Sequence, residues 1–155
     1  MDGAVMSRGS VSIEVAVLAP AFVAMMVLGG VAGRTAVASA ALEAAAHDAA
    51  RAASISRDAS AARDAAREAA RQQLDWRGVA CTSAPQVTFD GSVGGRSATF
   101  DQAFGSAIGQ EATVTVEIAC TVSYADIRLP ALTMPNGQRL TASFTSPLDR
   151  YRSRG

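Results

Sequence analysis

The stretch EVAVLAPAFVAMMVLGGVAGR, residues 14–34, decides the architecture of this chain. Between Glu14 and Arg34 lie nineteen residues without a charge. About 20 apolar residues cover the roughly 30 Å hydrocarbon layer of a bilayer, so the run is just long enough to cross it as a helix. Pro20 is tolerated in such a helix, because neighbouring helices and side chains re-satisfy the carbonyl it frees. A secretory signal that is later removed is the competing reading, with Ala38-Ser39-Ala40 as its small-residue cleavage site. Against it, the run exceeds the usual core of about 7–15 residues, and the preceding segment carries only Arg8 against Asp2. The awkward residue is Glu14, a carboxylate at the threshold of lipid, where ionisable groups are rare and usually functional.

Outward from this run, bulk properties exclude more than they assign. The 155 residues carry fourteen basic and fourteen acidic side chains, so no net field points to nucleic acid. Arg8 and Arg34 flank the run on opposite sides, and the positive-inside rule barely orients it. The two cysteines, Cys81 and Cys120, both follow it. An isolated pair suits an oxidising compartment, which places residues 35–155 outside the cytoplasm. A bridge between them would stabilise the fold by about 4 kcal/mol on the chain-entropy account. Two cysteines and the distant His47 cannot supply a four-ligand metal site, so no metal is expected.

After Arg34 come forty residues without Pro or Gly, rich in Ala, Arg, Glu and Gln, and propensity alone predicts helix. Asp48 with Arg51, Asp64 with Arg67, and Glu68 with Arg71 stand at i,i+3 spacing. Arg63, Arg67 and Arg71 make a stripe that reads as a solvated face. A break or bend is expected at residues 54–58, where the Ala periodicity falters and Ser or Asp can cap a second helix. Small residues recur at four-residue intervals, Gly29 with Gly33 and then Ala32, Ala36, Ala40 and Ala44. That spacing lets helices approach closely, and it predicts packing against copies of the chain or related helices.

From Trp76 the texture turns to alternation. In ATVTVEIACTV, residues 112–122, Val114, Val116, Ile118, Cys120 and Val122 share one face of a strand. QRLTASFTS and QVTFD repeat the pattern, and a fourth strand is expected around Arg96–Phe100. GSVGGRS, residues 91–97, lacks the Gly-Lys-Ser/Thr ending of a phosphate loop and reads as a hairpin connection. MPNG, residues 134–137, reads as a turn. No catalytic constellation emerges. His47 stands alone on an Ala-rich helix, no G-x-S-x-G is present, and the carboxylates are scattered. The basic ending DRYRSRG, residues 149–155, reads as a solvated tail.

Gly9, then Ser10-Val11-Ser12-Ile13, then Glu14 and an apolar helix resembles the processing site of type IV pilin-like proteins. In that superfamily a membrane prepilin peptidase cuts after the glycine, and the glutamate becomes the fifth residue of the mature chain. RGSVSIEVAVLAP, the segment AARAAS at 49–54, the two cysteines and the late run CTVSYADIRLPAL…LTASFTSPLDRYR resemble the TadE-like proteins. These are minor pilins or pseudopilins of the tight-adherence (Tad) type IV pilus system. Val15 departs from the aromatic that major pilins of this system usually carry after the glutamate, which favours a minor component. Ser10 likewise differs from the phenylalanine common elsewhere in the superfamily.

The resemblance implies cleavage between Gly9 and Ser10, and an assembly role for Glu14 through the new α-ammonium of a neighbouring subunit's Ser10. The expected fold is α+β: a long N-terminal transmembrane helix continuing into an Ala-rich helical stalk, then a small antiparallel β domain of three or four strands. The expected pieces are a leader (1–9), an assembly helix (10–34), an extracytoplasmic helix (35–75), a disulfide-tied β domain (76–147) and a flexible tail (148–155). The expected protein is non-enzymatic, without cofactor, nucleic-acid partner or small-molecule substrate. Its expected partners are the membrane, a prepilin peptidase, other pilins or pseudopilins, and the Tad assembly platform. A single-pass topology with a cytoplasmic N-terminus follows, as does a surface pilus location after processing. The alternative is a signal-anchored surface protein tethering a small extracytoplasmic binding domain.

Overall fold

The computed structural model describes residues 10–127 and 136–151, with side chains from Val15 onward except Ile127. Met134 and Pro135 of the expected turn, and residues 152–155 of the tail, lie outside them. Helix α1 spans Ser10–Ile55 and α2 spans Ala59–Trp76. The strands are β1 (Gln86–Val93), β2 (Arg96–Ala98), β3 (Ala112–Ser123) and β4 (Gly137–Pro147). A short helix α3, Phe100–Phe104, lies between β2 and β3.

The two long helices separate where the sequence loses its Ala rhythm. At the end of α1 the hydroxyls of Ser54 and Ser56 turn back onto the carbonyls of Arg51 and Ala52. Asp58 then caps α2, accepting the N–H of Ala61 at 2.8 Å and the Ser60 hydroxyl at 2.7 Å. These bonds hold the Asp58 carboxyl below its ordinary value, the Ala61 N–H contributing most. The break reverses the chain, and α2 packs back along α1.

Alanine makes that packing close. On α1 the buried face is Ala38, Leu42, Ala45, Ala46, Ala49, Ala50 and Ala53, and on α2 it is Ala62, Ala66, Ala70 and Leu74. Methyl-only faces let two backbones approach, and each buried methyl group contributes a little less than about 1 kcal/mol. These buried alanines are not the small residues expected to meet other copies of the chain: Gly29 and Gly33 are exposed and Ala44 is half-buried. The line Ala32, Ala36 and Ala40 is exposed as well.

The sheet is antiparallel in the order β2-β1-β3-β4. β3 is central, and its residues Val114, Val116, Ile118, Cys120 and Val122 are buried. Opposite them in register stand Phe89 to Val116 and Val87 to Ile118 on β1, and Phe144 to Val116 and Ala142 to Ile118 on β4. The helical hairpin covers this face, so helices and sheet share one hydrophobic cluster reaching from Ala38 to Leu148. The hairpin between β1 and β2 turns at Gly94 and Gly95, both at positive φ (56° and 75°), which suits a two-residue loop.

One expectation needs correction. The fourth strand stops at Ala98, and Phe100 opens α3 instead of closing a strand. Thr99 and Gln102 form a capping box: Thr99 Oγ1 accepts the Gln102 N–H at 3.2 Å, and Gln102 Oε1 accepts the Thr99 N–H at 2.9 Å. That buries Phe100, Ala103 and Phe104 against β1 and β3. Gly91 admits the approach, since a Cβ there would come within 2.8 Å of both the Ala103 methyl and the Thr99 carbonyl.

Candidate membrane anchor and assembly site

The first half of α1 touches almost nothing. Val15, Val17, Leu18, Phe22, Met25, Met26 and Leu28 are all exposed, on every side of the helix. A helix apolar all round is stable only inside a large core or in lipid. No core covers this one, and the helix is long and apolar enough to cross a membrane. Among the described residues it is the one such helix, which suggests single-pass membrane anchoring. Gly9 lies outside the described residues, whereas Ser10 and Glu14 fall in the first turns of α1 by backbone alone. Gly29 and Gly33 lie on the bare part of the helix, with open space where a Cβ would stand.

Where the apolar run ends, the folded domain takes hold. Arg34 sends both terminal nitrogens to Asp126, at 2.5 and 2.7 Å, and Nη1 also donates to the Ser123 carbonyl at 3.1 Å. The next residue supplies a second bond: Thr35 Oγ1 lies 2.6 Å from the hydroxyl of Tyr124, a side chain only 1% exposed. Tyr124 also donates to Gln138 Oε1 at 3.3 Å, joining β3 and β4 to the same point of α1. The guanidinium of Arg34 holds the Asp126 carboxyl below its ordinary value, through hydrogen bonding first. The first charge after the apolar run is therefore a structural clamp as well as a boundary marker.

The disulfide joins Cys81 and Cys120, whose Cα atoms are 5.5 Å apart. Cys81 also pairs with Val122 as an isolated β-bridge, and the Thr82 N–H donates to the Thr121 carbonyl at 2.9 Å. The chain leaving α2 is thereby pinned along the central strand.

Other singled-out residues have structural work. His47 is not simply solvated: its ring meets Phe144 edge-on at 4.5 Å, and Nδ1 lies 3.1 Å from Asp48 Oδ1. The stripe read as a solvated face is partly a roof. Arg63 lies over Phe100 and bridges to Asp101, Arg67 lies over Phe89, and Arg71 pairs with Glu68 at 2.5 Å. What marked Arg63 and Arg67 as partly inward was their four-residue spacing beside Ala62 and Ala66. That signal reads equally as a wet face until the partner aromatics are placed. Among the described residues, no three His, Cys, Asp or Glu side chains gather where they could hold a metal ion.

The anchor is where similarity to known proteins falls. Residues 9–51 match the family model described as TadE-like protein. The match runs over the whole apolar helix, from Gly9 through the apolar run and into the buried Ala face of α1. The TadE-like family implies a pilin-like protein associated with the Tad pilus and carrying an N-terminal membrane helix. It is a family of structural pilus components. Comparison with curated proteins and with solved structures gave no match.

Proposed function

We propose that this TadE-like protein is a minor pilin or pseudopilin of a Tad-type pilus, cut by a prepilin peptidase between Gly9 and Ser10 and assembled through its N-terminal helix. The observation that carries the reading is the family match that begins at Gly9 and takes in Glu14, the bare apolar helix and its Ala-rich continuation. Cleavage would leave an α-ammonium on Ser10, whose ordinary pKa is about 7.7–8.0, four positions before the Glu14 carboxylate. Neither charge is tolerable alone in lipid, and each subunit's glutamate can compensate a neighbour's ammonium as the helices bundle. The lipid-facing run with Gly29 and Gly33 supplies a packing surface for those helices.

The core argues against removal of the run as a secretory signal. A cut after Ala40 would delete Ala38 from the core and both residues, Arg34 and Thr35, that grip β3 and its end. Co-expression of the full chain with a prepilin peptidase tests the proposal. The product should lose nine residues, and Gly9→Leu should block the loss. An uncut wild-type chain beside an active peptidase would support the tethered surface domain instead.

A further inference from the structure

The helical hairpin brings the end of α2 back to the mouth of the anchor. Eighteen residues of α2 rise about 27 Å, so a helix starting beside Ile55 ends beside residues 37–38 of α1. The contacts agree, because Arg77 shares a cleft of about 460 Å3 with Gly33, Arg34, Val37 and Val79. That level is only one turn, about 6 Å, beyond Arg34, where the apolar run stops. The interfacial zone on each side of a roughly 30 Å hydrocarbon core is about 5–7 Å deep, so this end of the domain falls inside it.

The residues there have interfacial chemistry. Trp76 is 77% exposed at the last position of α2, and the Arg77 guanidinium lies 5.4 Å above its ring. Val37 on α1 is exposed and lines the same cleft as Arg77. An exposed tryptophan next to a cation is costly to leave in water, yet suits a boundary that is apolar on one side and anionic on the other. The carboxylates nearby do not oppose an anionic surface strongly. Asp126 is already engaged by Arg34, and Asp75 lines a second cleft with Arg71.

We infer that Trp76 and Arg77, with Val37, form a seat that rests the folded domain on the phospholipid headgroup boundary and so fixes how the head leans on its anchor. The occupant is the lipid surface itself, because the patch is continuous with the membrane-crossing helix. The inference rests on the single-pass anchor, and not on processing or pilus assembly.

Trp76 is the sole tryptophan of the chain, which makes the test direct. The full-length protein is placed in nanodiscs of phosphatidylethanolamine and phosphatidylglycerol, with acyl chains brominated either near the headgroup or near the methyl end. Trp76 fluorescence should be quenched by the shallow bromines, weakly by the deep ones, and should resist aqueous iodide. Arg77→Gln should lower the docked-to-free ratio about fivefold in phosphatidylglycerol-containing discs, the loss expected for one basic residue at an anionic surface. Full iodide access without bromine quenching would overturn the seat. Shielding from both quenchers would overturn it as well, since another protein copy would then cover the patch. Trp76→Phe combined with Phe22→Trp moves the probe to the apolar run, where deep bromines should quench it. If they do not, the anchor has failed and the seat with it; if they do, a negative result at Trp76 belongs to the seat alone.

Discussion

Arg34 and Asp126 are 92 residues apart in sequence, yet two parallel N–H···O contacts of 2.5 and 2.7 Å join them. The pair fixes the depth at which the apolar helix meets the head, because Arg34 is the first charge after that helix. Asp126→Asn should free the Ser123–Ile127 turn from α1 while leaving the Tyr124 bond to Thr35. Amide exchange of the full chain in micelles should quicken around residues 123–126 and stay slow in the middle of β3. Unchanged exchange there would deny the clamp.

The same carboxylate gives the clamp a pH dependence. Its folded value is lowered from an ordinary 3.8, so its contribution is fully present above that value and is lost as pH falls through the folded value. Asp101, lowered by hydrogen bonding to Arg63, follows the same sign. Thermal stability should therefore be flat with respect to these two groups near neutrality and fall in acid. Asp126→Asn should flatten part of that acid loss. Both groups are exposed, and the effect should shrink in high salt.

Cys81 and Cys120 close a loop across a sequence separation of 39, tying the exit of α2 to the central strand. Replacing both by Ser should destabilise the folded domain by about 4 kcal/mol on the chain-entropy account. Differential scanning in micelles checks it, and reductant should lower the wild-type transition towards that of the double variant.

The alanine seam between α1 and α2 predicts an opposite kind of damage, from added volume. Ala66→Leu inserts a branched side chain where the site is fully buried. Overpacking of this kind costs about 1–3 kcal/mol. Ala61→Leu, on the exposed face of α2, should cost far less in the same denaturation series.

These relationships show which parts of the structure local pattern could reach. The inward face of β3 was legible because strand alternation has a period of two, and Val114 to Val122 keep it without a lapse. The separation of α1 from α2 was legible because Ser54, Ser56 and Asp58 are capping chemistry inside an alanine helix. Helix α3 was missed although Thr99-x-x-Gln102 announces a capping box, because alternation across Arg96–Phe100 favoured a strand. Nothing local could reveal that Arg34 meets Asp126, that His47 lies against Phe144, or that Arg67 roofs Phe89. Each depends on the hairpin folding over the sheet. The four-residue spacing of alanines was visible, but not whether a neighbour in the same chain or in another would fill it.

Glu14 is the residue on which assembly turns in this account. Glu14→Ala should leave cleavage by the peptidase largely intact and reduce incorporation of the protein into the pilus machinery. Immunodetection in sheared-surface and membrane fractions would check it. Normal incorporation of the variant would remove the role given to the carboxylate.

The central claim is processing after Gly9, and the mass of the protein recovered from its native membrane tests it most directly. The account predicts a chain beginning at Ser10. A chain still carrying residues 1–9, or one beginning near Ala41, would contradict it.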